Sequence, residues 1–369
     1  MRKAAVGTAV ILAALSMLTG CSRDEVQESI QPLVADAIEE ADSEAEAIEE
    51  EEEMNLIPEF DPAVEVQPGA RIAVVSKSTK GEFWNRVKKG MEAAVKDANE
   101  VYGFEKKRAI TMTFEGPEDE HNVDEQINIL DAVLAENPDV LCVSVGDMDS
   151  CQAQLEMAKE NRIPVVAFDA NVSEKKLVRA FRATDNVEAG KMAAYRLGRT
   201  IGKMGKVAVF SAQEKTQSIK DRTEGFVENI SKYTDIEVVE VVYGDQVEDM
   251  EAAMQEVLHK YPTLDGVFCS NADVAEMYLN MEKDIDNREI AMVGMDATSR
   301  QQKAIREGEE IGVVSQQPFA MGYQAIWTSL MTTAPKKSVT YERNVLVTPV
   351  WIDAVCLDDP KYKDYLYSE

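Results

Sequence analysis

Several apolar runs in this chain end on a polar residue that could do chemistry: Ser76-Lys77, Asp169, Asn271, Asp296 and Gln316. Asp169 follows Val-Ala-Phe, Asp296 follows Val-Gly-Met, and Gln316 follows Val-Val-Ser. Carboxylates, amides and a cation held on stiff, buried strands form a donor and acceptor set suited to a small ligand rich in hydroxyls. Taken singly, each also reads as a solvated strand end or a helix cap. Phe83-Trp84, at the start of a helical pattern, is an aromatic pair that can offer ring faces to the apolar side of a sugar ring or simply fill core.

Catalytic patterns are scarce. The two histidines, His121 and His259, fall in an expected loop and late in a helical run. There is no Gly-x-Ser-x-Gly, and Gly190-Lys191 lacks a phosphate-loop pattern because Asp185 stands where its first glycine would be. Cys142, Cys151, Cys269 and Cys356 form no Cys-x-x-Cys or Cys/His cluster, so neither a metal site nor a cofactor is expected.

The elements that would hold these residues follow from hydrophobic patterning. Short β-branched runs at 72–76, 110–114, 140–145, 165–168, 178–183, 207–210, 238–243, 266–269, 290–295 and 311–315 alternate with amphipathic stretches such as 83–101, 123–136, 189–201 and 252–260. Continuously apolar strands separated by amphipathic helices indicate parallel sheets covered on both faces. Ten strands divide naturally near Thr184, which predicts an α/β protein of two doubly wound lobes. In such sheets ligands bind beyond the carboxyl ends of the strands, where the polar residues above lie.

Ahead of the lobes the composition differs. Arg2 and Lys3 precede an apolar stretch from Ala4 to Met17 that is shorter than the roughly 20 residues of a membrane span. It ends in Leu18-Thr19-Gly20-Cys21, which resembles the lipobox of bacterial lipoproteins; the resemblance implies that Cys21 is lipidated and becomes the mature N-terminus. From Asp24 to Glu65 the chain carries 17 Asp and Glu and no Lys or Arg, including the run of five from Glu49 to Glu53. Residues 22–68 therefore read as an acidic tether between a membrane and a folded body. The formal charge of −29 opposes a nucleic-acid partner, since phosphate binding needs a basic face.

From about residue 70 to 352 the chain resembles the type I periplasmic sugar-binding proteins. The resemblance rests on Ile72-Ala73-Val74-Val75 with Phe83-Trp84, then 163–169, Thr184-Asp185-Asn186 with Gly190-Lys191, and 222–226. It continues through Asp265-Gly266-Val267-Phe268 with Asn271, Val293-Gly294-Met295-Asp296, and Gln316-Gln317-Pro318. It implies that Phe83 and Trp84 stack on the ligand, that Asp169, Asn271, Asp296 and Gln316 bond its hydroxyls, and that Arg222 adds a charged donor. It also implies lobes of 69–183 plus 317–345 and of 184–316 plus 346–358, joined by a three-strand hinge. The protein would be an extracytoplasmic, lipid-anchored binder that hands a monosaccharide or polyol to the membrane permease of an ABC importer. Reporting to a chemoreceptor or membrane kinase is the alternative. The chain departs from the family pattern at Lys77, Gly81, Ala170, Ala272 and Met295. The second lobe is thereby expected to offer fewer aromatic contacts than a ribose binder does. Sugar-responsive repressors share the lobes but carry a basic DNA-binding segment in front of them, where this chain has the acidic tether.

Overall fold

A computed structural model describes residues 57–281, 289–335 and 340–367. Cys21 and the acidic residues as far as Glu53 lie outside the described residues. Twelve strands among the described residues form two six-stranded sheets. In the first, β1 (Arg71–Val75), β2 (Thr111–Glu115), β3 (Val140–Val143), β4 (Val165–Phe168), β5 (Ala180–Thr184) and β11 (Asn344–Val347) run in the order β11-β5-β4-β3-β1-β2, all parallel. The second contains β6 (Met204–Ser211), β7 (Asp235–Tyr243), β8 (Gly266–Cys269), β9 (Ala291–Met295), β10 (Gly312–Ser315) and β12 (Val350–Ile352). Its order is β12-β10-β9-β8-β6-β7, and only the edge strand β12 is antiparallel.

The two-lobe α/β architecture expected from the patterning is therefore what the chain adopts. Central strands such as β3, β4, β8 and β10 are buried at every position, as strands covered on both faces must be. The edge strand β2 alternates between exposed and half-buried residues.

Helices α1 (Glu82–Tyr102) and α9 (Pro318–Thr333) cover one face of the first sheet, and α2 (Val123–Ala135) and α3 (Gln152–Glu160) the other. On α1, Trp84, Val87, Met91, Ala94 and Ala98 recur at helical spacing and form the buried stripe. Gly90 on α1 and Gly322 on α9 let the two backbones touch. A Cβ at Gly90 would lie 2.0 Å from the Phe319 carbonyl oxygen, and one at Gly322 would lie 2.2 Å from that of Val87. On the second sheet α4 (Asn186–Thr200) meets α5 (Gln217–Ile230) in the same manner, with a Cβ at Gly190 falling 2.1 Å from the Arg222 carbonyl oxygen. The remaining helices are α6 (Met250–Lys260), α7 (Ala272–Asn280) and α8 (Ser299–Glu307).

The chain passes between the sheets three times: from β5 into α4, from β10 into α9, and from β11 into β12. The last passage differs from expectation. β11 pairs with β5 through Val347, so the switch falls at Thr348-Pro349 and not after Val345. Both ends of the folded body are also longer than expected. Phe60 and Val66 are buried, the Trp327 indole donates to the Glu59 carbonyl at 3.1 Å, and the Tyr102 hydroxyl to that of Asp61 at 3.1 Å. Residues 57–68 thus belong to the first lobe rather than to the tether, because their few apolar side chains find the α1–α9 groove. At the other end the chain continues past Asp358 through a 3-10 turn, Pro360–Tyr365, to a buried Tyr367. Among the described residues no helix is long and apolar enough to cross a membrane. Cys142, Cys151, Cys269 and Cys356 are buried, and no disulfide joins any two of them.

Candidate functional site

The carboxyl ends of the two sheets face each other across a cleft, and corresponding positions in the two lobes carry the same residue type. Asp169 follows β4 and Asp296 follows β9, each the fourth strand counted from its sheet's outer β2 or β7 edge. Both adopt a left-handed backbone, with φ of 57° and 78°. Each donates its amide to the neighbouring strand, to Arg182 O and Val314 O respectively, at 2.9 Å. Aspartate tolerates this conformation better than most side chains, and the turn directs the carboxylate into the cleft and away from the strand line.

On the first lobe Lys77, at the end of β1, is 6% exposed. Its ammonium lies 3.3 Å from Asp169 Oδ2 and 3.7 Å from Glu120 Oε2. Burial opposes the Lys77 charge, but Asp169 and then Glu120 outweigh it and raise its pKa above the ordinary lysine value. Ser144, at the end of β3, donates to the same Asp169 oxygen at 3.0 Å. Gln126 on α2 ties the loops together from beneath, donating to the carbonyls of Ser76 at 2.9 Å and Ser144 at 2.8 Å.

On the second lobe Arg222 projects from α5 and is 2% exposed. Its Nε donates to Asn186 Oδ1 at 2.7 Å and its Nη1 to the Ser270 carbonyl at 3.1 Å, which fixes the guanidinium plane. Asp296 Oδ2 accepts the Ala272 amide at 3.0 Å, and Oδ1 accepts Gln316 Nε2 at 2.7 Å. Burial raises the Asp296 pKa, against the pull of Arg222, Gln316 and the Ala272 amide. Gln316 reaches back across the hinge, accepting the Thr184 hydroxyl at 2.7 Å. Asn271 caps α7 by accepting the Val274 amide at 3.1 Å, and donates across the cleft to Glu120 Oε1 at 3.3 Å. Asp273, on the first turn of α7, has an exposed side at the cleft. Its carboxyl is pushed up to about 7, first by the protein crowded around the cleft and then by the like charges of Glu120, Asp296 and Glu276.

The lobes are closed on each other in this structure. The Met148 amide donates to Lys215 O at 3.0 Å, Thr216 Oγ1 to Gly146 O at 2.5 Å, and the Ser299 amide to Glu82 Oε2 at 2.9 Å.

Of the residues singled out from the sequence, Asp169, Arg222, Asn271, Asp296 and Gln316 converge on this cleft. The aromatic pair divides its duties. Phe83 is half-buried and reaches the cleft, whereas Trp84 is 5% exposed and packs edge-on against Phe83 and Phe168 at 5.0 and 6.3 Å. The Lys77 ammonium lies 5.9 Å from the centre of the Trp84 ring. The two histidines are exposed. Three residues of the site were not expected from sequence. Ser144 and Glu120 sit in loops without a motif, and Tyr367 follows the last recognisable element by many residues. The Tyr367 hydroxyl donates to Asp296 Oδ1 at 3.2 Å and accepts the Gln316 amide at 3.3 Å, and its ring lies 6.2 Å from Phe83.

Residues 72–334 match the sequence model described as periplasmic binding protein domain. Among curated proteins, the ribose import binding protein of Escherichia coli K12 is 24% identical over 191 residues, 52% of this chain and 64% of that protein. The chain thus spans less than two thirds of that relative's length. The D-allose-binding periplasmic protein of the same organism is 23% identical over 282 residues, 72% of this chain and 85% of its own. Among solved structures, an ABC transporter solute binding protein from Agrobacterium vitis with bound D-fucose superposes with a TM-score of 0.72. It is 27% identical, covering 81% of this chain and all of that one. A second from the same species, bound with alpha-D-tagatopyranose, gives 0.74 at 24% identity over the same shares.

Proposed function

The chain belongs to the periplasmic binding protein domain family, and from that premise we propose that it is an extracytoplasmic solute-binding protein for a small, hydroxyl-rich ligand, a monosaccharide or related polyol. One observation carries this reading: the two aspartates that end equivalent strands, Asp169 and Asp296, face a single cleft together with buried Lys77 and Arg222. Charged groups fixed by their neighbours offer directional acceptors and donors to sugar hydroxyls without ordering flexible side chains on binding. The protein is a binder rather than an enzyme. Asp169 and Asp296 are held by Lys77, Ser144, Gln316 and the Ala272 amide, a setting that orients them as acceptors for ligand hydroxyls.

Closure of the lobes about the three crossings would present a ligand-dependent surface to the membrane permease of an ABC importer. Lipidation at Cys21, with the acidic segment from 22 to 56 as spacer, would keep the binder beside that permease. The relatives named for ribose and D-allose and the neighbours holding D-fucose and tagatose support the ligand class. The test is a thermal-shift screen of the described body, residues 57–367, against pentoses, hexoses, polyols and sugar acids, followed by calorimetric titration of each hit. A ligand that binds only the native state raises its melting temperature by mass action. Stabilisation by nucleotides or amino acids, with none by any sugar or polyol, would overturn the assignment.

A further inference from the structure

We propose that the C-terminal segment from Cys356 to Tyr367 is a clasp that supplies the missing aromatic wall of the ligand cleft and couples that wall to lobe closure. The inference rests on the cleft reading above and adds to it which residues set selectivity and which set the lifetime of the closed state.

The segment is fastened to the second lobe. Cys356 and Leu357 join Ala297, Ile305, Val313 and Ile352 in a small apolar cluster, and Tyr362, Tyr365 and Leu366 pack against it. The Tyr367 amide donates to Ala297 O at 2.9 Å, Gln302 Nε2 donates to the Tyr367 carbonyl at 2.7 Å, and Ser315 Oγ donates to Tyr365 O at 2.6 Å. These bonds hold the backbone on both sides of the aromatic ring.

The ring itself is 1% exposed, with its hydroxyl on Asp296 and its plane tilted by 54° to that of Phe83. Phe83 stands on α1 of the first lobe, so the two rings approach from opposite lobes. Where the strand before Asp296 ends in Met295, Tyr367 restores an aromatic surface to the second lobe. It also engages one oxygen of Asp296 that a ligand hydroxyl would otherwise use. The hydroxyl therefore selects among sugars by what it leaves of that carboxylate.

The grip on the first lobe comes from Arg86, one helical turn from Phe83 on α1. Its guanidinium donates to the carbonyls of Asp364, at 3.1 Å, and Leu366, and lies 5.9 Å from the Tyr367 ring centre. Opening the lobes must break both bonds, because donor and acceptors lie on different lobes. Arg86 touches the cleft only through the tail, so it acts as a positioning residue and Tyr367 as a binding one.

The test uses residues 22–369 without the lipid, with Met157→Cys and Val355→Cys as exposed labelling sites on the two lobes; the native cysteines of the described body are buried. Distances between spin labels are measured with and without D-ribose, D-allose, D-fucose and D-arabinose, together with affinity and dissociation rate for each. Arg86→Ala is expected to lower the closed fraction and to weaken every sugar that binds by about tenfold, through faster dissociation, leaving the ranking of sugars unchanged. Tyr367→Phe is expected to keep the distance distribution and change the ranking by severalfold. Asp169→Asn is measured beside them. If it loses binding while Arg86→Ala and Tyr367→Phe match the wild type, the clasp is wrong and the cleft stands. If Asp169→Asn binds as the wild type does, the cleft reading itself falls. Identical distance distributions for wild type and Arg86→Ala under every condition overturn the clasp, whether or not a sugar binds.

Discussion

Replacing Asp169 by asparagine removes one charge and almost no volume, so its consequences can be worked from the contacts. The change leaves Ser144 an acceptor and preserves a residue type that tolerates φ near 57°. It takes from Lys77 the nearer of its two carboxylates, at 3.3 Å, and leaves Glu120 at 3.7 Å. A charge-assisted bond of this kind contributes about 1.5–3 kcal/mol net, and removing one partner of a wholly buried pair costs about 3–5. Because Glu120 remains, the loss of stability should sit near the lower figure, about 2 kcal/mol. Alanine at the same position should lose about 1–2 kcal/mol more, since its side chain gains nothing from a left-handed backbone. For the ligand, a lost charge-assisted bond weakens binding by roughly tenfold to a few hundredfold, at 1.4 kcal/mol per factor of ten. Urea unfolding of the single variants and of the double variant with Lys77→Met measures the pair directly. A Lys77–Asp169 coupling below about 0.5 kcal/mol would refute the electrostatic argument, and a wild-type affinity for the ligand would refute the site.

Other outcomes follow from separate features. Gly90→Ala puts a methyl group into the Phe319 backbone, which has no flexible end to yield, and should destabilise by about 3 kcal/mol in a thermal or urea melt. Glu310 is 1% exposed, and burial holds its carboxyl well above the ordinary glutamate range. A carboxyl raised in the folded state stabilises fully below its unfolded pKa and loses that contribution as pH climbs through the folded one. Glu310→Gln should therefore flatten the fall in stability as pH rises above the ordinary glutamate range, and an unchanged slope would mean another group is responsible. Cys21→Ala should release the protein from the membrane fraction and abolish incorporation of labelled lipid.

Strands such as β3, β4 and β8 were legible because burial on both faces demands unbroken apolar runs, and Asp169 and Asp296 were legible because they terminate such runs. Gln316 ends such a run too, whereas Arg222 required the order of the motifs as well. Glu120 could not be read, since it sits in a loop without a motif and its importance arises from meeting Lys77 within its lobe and Asn271 across the cleft. Tyr367 was hidden for a related reason. Nothing in Asp-Tyr-Leu-Tyr announces that Gln302, Ser315 and Arg86 will hold it in place. The acidic composition of 57–68 concealed Phe60 and Val66, two apolar residues whose partners lie on α1 and α9. Short β11 and β12 gave too few residues for a period to show.

The three passages of the chain have a kinetic consequence. β5 finds its last neighbour, β11, only after the whole second sheet except β12 has been made: Phe181 pairs with Asn344. The helix α9, which covers β3, β4 and β5, arrives equally late. The first lobe therefore remains without its sheet edge and one of its covering helices until synthesis is nearly finished. Closing so long a loop slows folding while leaving stability almost unaffected. Neither lobe can complete its native sheet before the C-terminal strands follow, a delay that suits the export proposed above.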